Sequence, residues 1–281
     1  MIIHRLHNLE EWLAYTSRFK SIHNDQRSIE SDIVNATRKN GLNTLTFPGY
    51  SYTAQTTVNF QAPVTPEGIN WRESIVCPLT GLINRIRFGM HIFDIECQPH
   101  SDDQIYVMEQ TTPLFDYLSS RFRNVIGSEY LGARNSPGEI IRGIRHEDIT
   151  DLSFDDGSID HIHSYEVMEH VPDFNAGLRE CCRVLRRGGT MLITAPFIPN
   201  QTETVVRASL CPDGSVIHHC PPEYHGDPVN KSGVLCYYHF GWNLLDNIRE
   251  CGFSDSYVCT SWAKPFGYLG VFSNQIIIAR K

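Results

Sequence analysis

Apolar positions along the chain fall into three regimes. In the first forty residues Leu6, Leu9, Trp12, Leu13 and Phe19 recur near helical spacing, and Ile29, Ile33 and Val34 continue a more polar stretch. This predicts a helical arm over 1–45, with Gly41 a plausible stop. From Phe47 to Phe88 the pattern breaks up. Pro48, Gly49, Pro63, Pro66 and Gly68 punctuate short runs such as Thr56-Thr57-Val58-Asn59-Phe60, which predicts a small β-rich module over 46–100, closed by a helix from Gly81 to about Ile95.

From Gln104 the pattern alternates strand and helix. The predicted strands are Ile105 to Met108, Val125 to Gly127, Ile159 to His163, Thr190 to Thr194 and Gln275 to Ala279. Helices are predicted over Pro113 to Phe122, Phe174 to Leu185 (ended by Gly188-Gly189) and Phe240 to Cys251 (closed by Gly252). Such alternation means an α/β domain with a mostly parallel sheet covered on both faces, here over 101–281. The segment 199–238, rich in Pro, His and Gly, does not fit the alternation and is too long for a plain connection. It reads as a lid or substrate-binding insertion.

Composition narrows the class. The chain of 281 residues is 41% hydrophobic and 20% charged, as in an ordinary globular protein, and its net charge of -8 argues against a nucleic-acid binder. No stretch approaches the roughly 18 apolar residues of a membrane span, and the first twenty residues do not read as a signal peptide. Nine scattered cysteines are then expected as reduced thiols in a cytoplasmic protein.

In open α/β sheets, ligands bind beyond the carboxyl ends of the strands. After the first strand of the domain lies Glu109, followed by Gln110, Thr111, Thr112 and Pro113. After the second lie Glu129 and Tyr130, where an acid can accept hydrogen bonds from ribose hydroxyls. Glu147-Asp148-Ile149 offers a carboxylate to an adenine amino group. Tyr165, Glu166 and His170 line the mouth of the same cleft, and an imidazole there is poised to act as a base.

Residues 104–197 resemble class I S-adenosylmethionine-dependent methyltransferases of the type-11 group. The resemblance rests on Asp148-Ile149-Thr150-Asp151-Leu152-Ser153-Phe154, Asp156-Gly157-Ser158-Ile159-Asp160, Glu169-His170-Val171-Pro172, Leu178-Arg179-Glu180 and Arg183-Val184-Leu185-Arg186-Arg187-Gly188-Gly189. It implies a doubly wound, mostly parallel, seven-stranded Rossmann-like sheet, S-adenosylmethionine as cofactor, and in-line methyl transfer to an oxygen or nitrogen acceptor. Glu109, Thr111, Thr112, Glu129, Tyr130, Asp148, Ile149 and Tyr165 are the expected cofactor-binding positions. His170, Glu166 and His225 are the expected catalytic groups. Glu223, Tyr224 and His239, with Asp227, are expected to meet the acceptor.

The chain departs from the family after the first strand, where the usual glycine-rich loop is replaced by Gln-Thr-Thr-Pro. The hydroxyls of Thr111 and Thr112 and the following helix N-terminus are the expected substitutes. The module over 46–100 is similar to a zinc ribbon whose ligand positions have become Ser51, Ala54, Cys77 and Thr80, and one thiol cannot hold zinc. His218, His219, Cys220 and His225 match no metal motif, so no metal is expected. The acceptor is expected to be a small molecule or glycan, and the N-terminal arm could serve a homodimer. The alternative is a non-catalytic binding or scaffold protein on a degenerate methyltransferase fold.

Overall fold

The structure, a computed structural model, describes residues 1–226, 229 and 232–281. Asp227 lies outside the described residues. The chain forms two compact units: Met1–Leu6, Glu10–Pro99 and Val258–Ile276 in one, and His7–Leu9, His100–Tyr257 and Ile277–Lys281 in the other.

The first unit starts with a short strand, β1 (His4–Leu6), that periodicity does not reveal, followed by α1 (Leu9–Arg18) and α2 (Lys20–Lys39). Gly41 takes φ +67° just past α2, as expected of a glycine stop. The β-rich module is a hairpin of β2 (Thr44–Ser51) and β3 (Thr56–Pro63), then α3 (Trp71–Ser74) and α4 (Asn84–Ile92), which runs on as a π-turn to Cys97. Leu45, Phe47, Val58, Phe60, Ile75 and Leu269 form its core.

At the tip of the hairpin, the positions compared with zinc ligands converge. Ser51 Oγ donates to Cys77 Sγ at 3.3 Å, the Ala54 amide donates to Ser51 Oγ at 3.3 Å, and Thr80 Oγ1 lies 3.5 Å from Thr53 Oγ1. Burial pushes the Cys77 thiol up, but bonds from Ser51, Thr80 and nearby amides outweigh it and leave the thiol below its ordinary value. Hydroxyls and amides tie this knot.

The second unit carries β4 (Gln104–Val107), α5 (Pro113–Arg121), β5 (Asn124–Gly127), the small hairpin β6 (Ile140–Ile141) and β7 (Ile144–Arg145), β8 (Ile159–Tyr165), α6 (Phe174–Val184) and β9 (Leu185–Thr194). Gly188-Gly189 lie inside β9 rather than ending α6; α6 stops at Val184 and the strand starts five residues earlier than its apolar run. The segment 199–238, expected as a lid or substrate-binding insertion, forms three antiparallel ladders among the described residues. β10 (Val205–Val206) pairs β15 (Tyr238–His239), β11 (Ala208–Leu210) pairs β12 (Val216–His218), and β13 (Tyr224–His225) pairs β14 (Val234–Leu235). α7 (Asn243–Glu250), β16 (Asp255–Thr260) and β17 (Gln275–Arg280) complete the chain.

One sheet of seven strands runs in the order β1-β16-β17-β9-β8-β4-β5. β9, β8, β4 and β5 are mutually parallel, while β17 meets β9 antiparallel and β1 meets β16 antiparallel. All seven residues of β8 are buried, which is why its apolar and polar residues do not alternate by face. Among the described residues no helix is long and apolar enough to cross a membrane.

Candidate active site

The parallel strands β4, β5, β8 and β9 end at one edge of the sheet, and their exits are stitched together. The Met108 amide donates to the His163 carbonyl, Ser128 to Val107, and Glu166 to Thr194. The loops after these strands therefore share one rim, the place where open α/β sheets bind ligands.

Glu129 anchors the rim. Its Oε1 accepts from the Gln110 amide at 2.8 Å, the Thr111 amide at 3.0 Å and the Thr111 hydroxyl at 2.9 Å. One carboxylate oxygen thus shapes the loop that glycines would otherwise shape, while Oε2 takes none of these bonds. Gly127, two residues earlier, permits the close approach: a Cβ there would stand 2.9 Å from the Glu109 carbonyl and 2.7 Å from the Phe115 ring. Gln110 fastens the loop further, accepting from the Arg145 amide at 2.8 Å and donating to the Gly143 carbonyl at 3.0 Å. Sequence reading gave Gln110 no role, because its partners lie more than thirty residues away.

Of the two substitute hydroxyls, Thr111's is spent on Glu129, whereas Thr112 Oγ1 is buried without a hydrogen-bond partner at the N-cap of α5. A buried hydroxyl beside an uncapped helix N-terminus is matched to an acceptor such as a ligand carboxylate. Tyr130 presents an exposed ring next to His146, with centroids 5.5 Å apart. Partial burial, then the nearby Asp148 carboxylate, raise its phenol.

Of the neighbouring acids, Glu147 is committed: it accepts from Arg145 Nε at 2.7 Å and from Ser153 through both amide and hydroxyl. Asp148 uses Oδ1 to accept from the Thr150 amide and hydroxyl, at 2.9 and 2.7 Å. Ile149 is buried against Gly177 of α6. Tyr165 is buried at the end of β8, its hydroxyl 3.2 Å from His163 Nδ1. Glu166, directly after it, holds a left-handed backbone with φ +56°. That conformation strains a non-glycine residue, and such strain gathers at functional sites.

Beyond the loop after β8, the insertion folds back over His170. The Tyr237 amide donates to the Glu169 carbonyl at 2.7 Å, and the Leu235 carbonyl faces His170 Nδ1 at 2.8 Å. His225 stands edge-on to His170, centroids 4.9 Å apart. Its Nδ1 is 3.5 Å from Glu169 Oε1 and its Nε2 3.0 Å from Glu223 Oε1. The Glu169 carboxylate, against the opposing effect of burial and with help from Glu223, pushes His225 up to about 9. Glu223 also meets His239 Nε2 at 3.1 Å and Arg207 at 3.0 Å, and these partners hold its carboxyl below the usual range, with His225 the largest influence. Tyr224 is exposed. His170, His225, Glu223 and His239 thus meet in one polar cluster. His218 and His219, the near neighbours of His225 in sequence, are exposed on the other ladder, and His219 pairs with Ser209. Glu169 is the member to which sequence reading gave no role, although it lies in the run Glu169-His170-Val171-Pro172.

Residues 116–193 match the model of a family described as a methyltransferase domain. A protein of Mycolicibacterium smegmatis described as a probable S-adenosylmethionine-dependent methyltransferase is 40% identical over 53 residues, which is 19% of this chain. The chain spans about a fifth, 21%, of that relative's length. Two solved structures are also similar. An S-adenosylmethionine-dependent methyltransferase from Mesorhizobium loti is 15% identical, covering 65% of this chain and 93% of that one, with TM-score 0.41. The Burkholderia thailandensis 1,6-didemethyltoxoflavin-N1-methyltransferase, solved with bound 1,6-didemethyltoxoflavin and S-adenosylhomocysteine, is 15% identical, covering 70% of this chain and 78% of that one, with TM-score 0.41. The resemblance of residues 104–197 to class I methyltransferases is borne out by the domain match.

Proposed function

We propose that this chain, which carries a methyltransferase domain, is an S-adenosylmethionine-dependent methyltransferase that modifies an oxygen or nitrogen of a polar small molecule or glycan. The observation that carries the reading is Glu129, fixed at the end of β5 with Oε1 committed to the loop and Oε2 available to ribose hydroxyls. Thr112 Oγ1 and the N-terminus of α5 would hold the cofactor's carboxylate, Asp148 its adenine amino group, and Tyr130 would cover the ring. When bound, the cofactor supplies an activated methyl group.

The chain's own contribution is position and polarity. Glu166, at the strained exit of β8, and the neighbouring Tyr165 line the approach to the reacting centre. Alignment of this kind lowers a displacement barrier by on the order of 7–11 kcal/mol. The lid presents Glu223, Tyr224, His225 and His239, hydrogen-bonding groups suited to a hydroxylated or amine acceptor, with His170 and His225 placed to manage its proton.

Calorimetric titration with S-adenosylhomocysteine tests the reading. The wild type is expected to bind, and Glu129→Ala to bind at least about tenfold more weakly, since a charge-assisted hydrogen bond contributes about 1.5–3 kcal/mol. A well-folded wild type that binds nothing would leave the non-catalytic scaffold in front.

A further inference from the structure

Glu169 occupies the short 3-10 turn Met168–His170 after β8. It is 0% exposed, and neither carboxylate oxygen has a hydrogen-bond partner. A carboxylate withdrawn from water requires a compensating charge or hydrogen bonds. Two imidazole nitrogens face Oε1, His225 Nδ1 at 3.5 Å and His170 Nε2 at 3.6 Å.

The far nitrogen of each imidazole is already assigned. His170 Nδ1 faces the Leu235 carbonyl at 2.8 Å, and a carbonyl only accepts, so Nδ1 carries the proton. His225 Nε2 faces the Glu223 carboxylate at 3.0 Å, another acceptor. The remaining nitrogens, His170 Nε2 and His225 Nδ1, both face Glu169, so that one donor atom from each of the three residues lies within 4.8 Å of the others.

A metal ion fits that convergence in place of a proton. A tetrahedral ion about 2.0–2.1 Å from nitrogen and oxygen ligands sets them roughly 3.3 Å apart, near the 3.5 and 3.6 Å observed. Metal-bound histidines also donate their other nitrogen to a carbonyl or carboxylate, the arrangement found at both rings. The adjoining group Glu223, Cys236 and His239 is a weaker candidate, because Glu223 is already matched by Arg207, His225 and His239.

We propose that Glu169, His170 and His225 form a site for a divalent metal ion of the zinc type, with a fourth position left for water or an acceptor oxygen. Its binding depends only on these side chains. Its role deepens the methyltransferase reading and rests on it: such an ion would take over the acceptor's proton from His170 and His225, by lowering the pKa of a bound hydroxyl.

The test is calorimetric titration of the full chain, stripped with a chelator and then freed of it, with zinc sulfate alone. One equivalent is expected to bind. Glu169→Gln and His225→Ala should each weaken binding at least about a hundredfold, and bound Co(II) should show a tetrahedral spectrum without thiolate charge transfer. No binding by the folded wild type, or affinity unchanged in both variants, overturns the site; the cluster is then an ion pair with His225 protonated between Glu169 and Glu223. If Glu169→Gln does not fold, judged by circular dichroism, His225→Ala on the lid decides. Titration with S-adenosylhomocysteine in parallel separates the two claims: zinc binding without nucleoside binding defeats the enzyme reading alone, and the reverse defeats the metal site alone.

Discussion

Two clusters in this molecule contrast. In the hairpin unit, positions spaced like zinc ligands are occupied by Ser51, Ala54, Cys77 and Thr80, and they still meet in space. In the other unit, Glu169, His170 and His225 carry no recognisable spacing, yet their donor atoms converge around a carboxylate without hydrogen bonds. The first cluster brings zinc-ligand-like spacing together without the donor atoms to hold an ion, while the second brings donor atoms together with no motif. In the knot each hydroxyl meets a partner, whereas around Glu169 two imidazole nitrogens stand at 3.5 and 3.6 Å, beyond ordinary hydrogen-bond length.

The sharpest way to break this contrast is to restore the knot. The triple variant Ser51→Cys, Ala54→Cys and Thr80→Cys, joined by native Cys77, is expected to gain tight zinc binding, from none at this locus to sub-micromolar. Co(II) absorption with thiolate charge transfer is the readout. No gain would mean that the knot's backbone no longer resembles a ligand cage.

A smaller effect follows from removing charge. In metal-free protein, Glu169→Gln is expected to lower stability by about 1–3 kcal/mol in urea unfolding, because it removes a carboxylate that pairs with His225. With zinc present the deficit relative to the wild type should grow. Cys77→Ser should lower stability slightly in both conditions and leave zinc affinity at the Glu169 cluster unchanged. A Glu169→Gln protein destabilised equally with and without zinc would erase the difference between the clusters.

A third buried site sharpens the point that burial alone does not create charge. Burial, followed by the repulsion of His161 and Arg121, pushes His163 down to about 3. Its folded value lies below the unfolded value near 6.5, so its neutral form stabilises fully above pH 6.5. That stability is lost as the pH falls toward 3, by about 1.4 kcal/mol per unit. Urea midpoints measured between pH 7 and 4.5 should fall, and a His163→Asn variant should show a shallower slope.

How much of this was legible in the chain depended on range. The strands of the parallel sheet were readable from short apolar runs or, for β8, from Ile159 and Ile162 after the turn Asp155-Asp156-Gly157. β1 and β16 were not, because β1 is three residues long with one buried, and β16 mixes Asp255, Ser256 and Thr260 with its apolar residues. Much of the run that carries the family resemblance is scaffolding: Arg183 donates to the Leu152 and Phe154 carbonyls and to Asp156 and Glu180, clamping α6 to the loop before β8. Position after a strand was enough to single out Glu129, but its three hydrogen bonds to the loop after β4 needed coordinates. The Glu169 cluster was hidden because its members are brought together across more than fifty residues by the Tyr237 and Leu235 backbone contacts.

Glu166 has a consequence beyond geometry. A residue held at positive φ without being glycine stores on the order of 1–3 kcal/mol that relaxation would release. The exit of β8 is therefore a spring set within the folding free energy, and it opposes the drift of the whole protein toward greater robustness. Selection for heat tolerance alone would favour glycine at this position. A carboxylate kept there marks a place where the chain gives up durability to hold one side chain in a chosen direction.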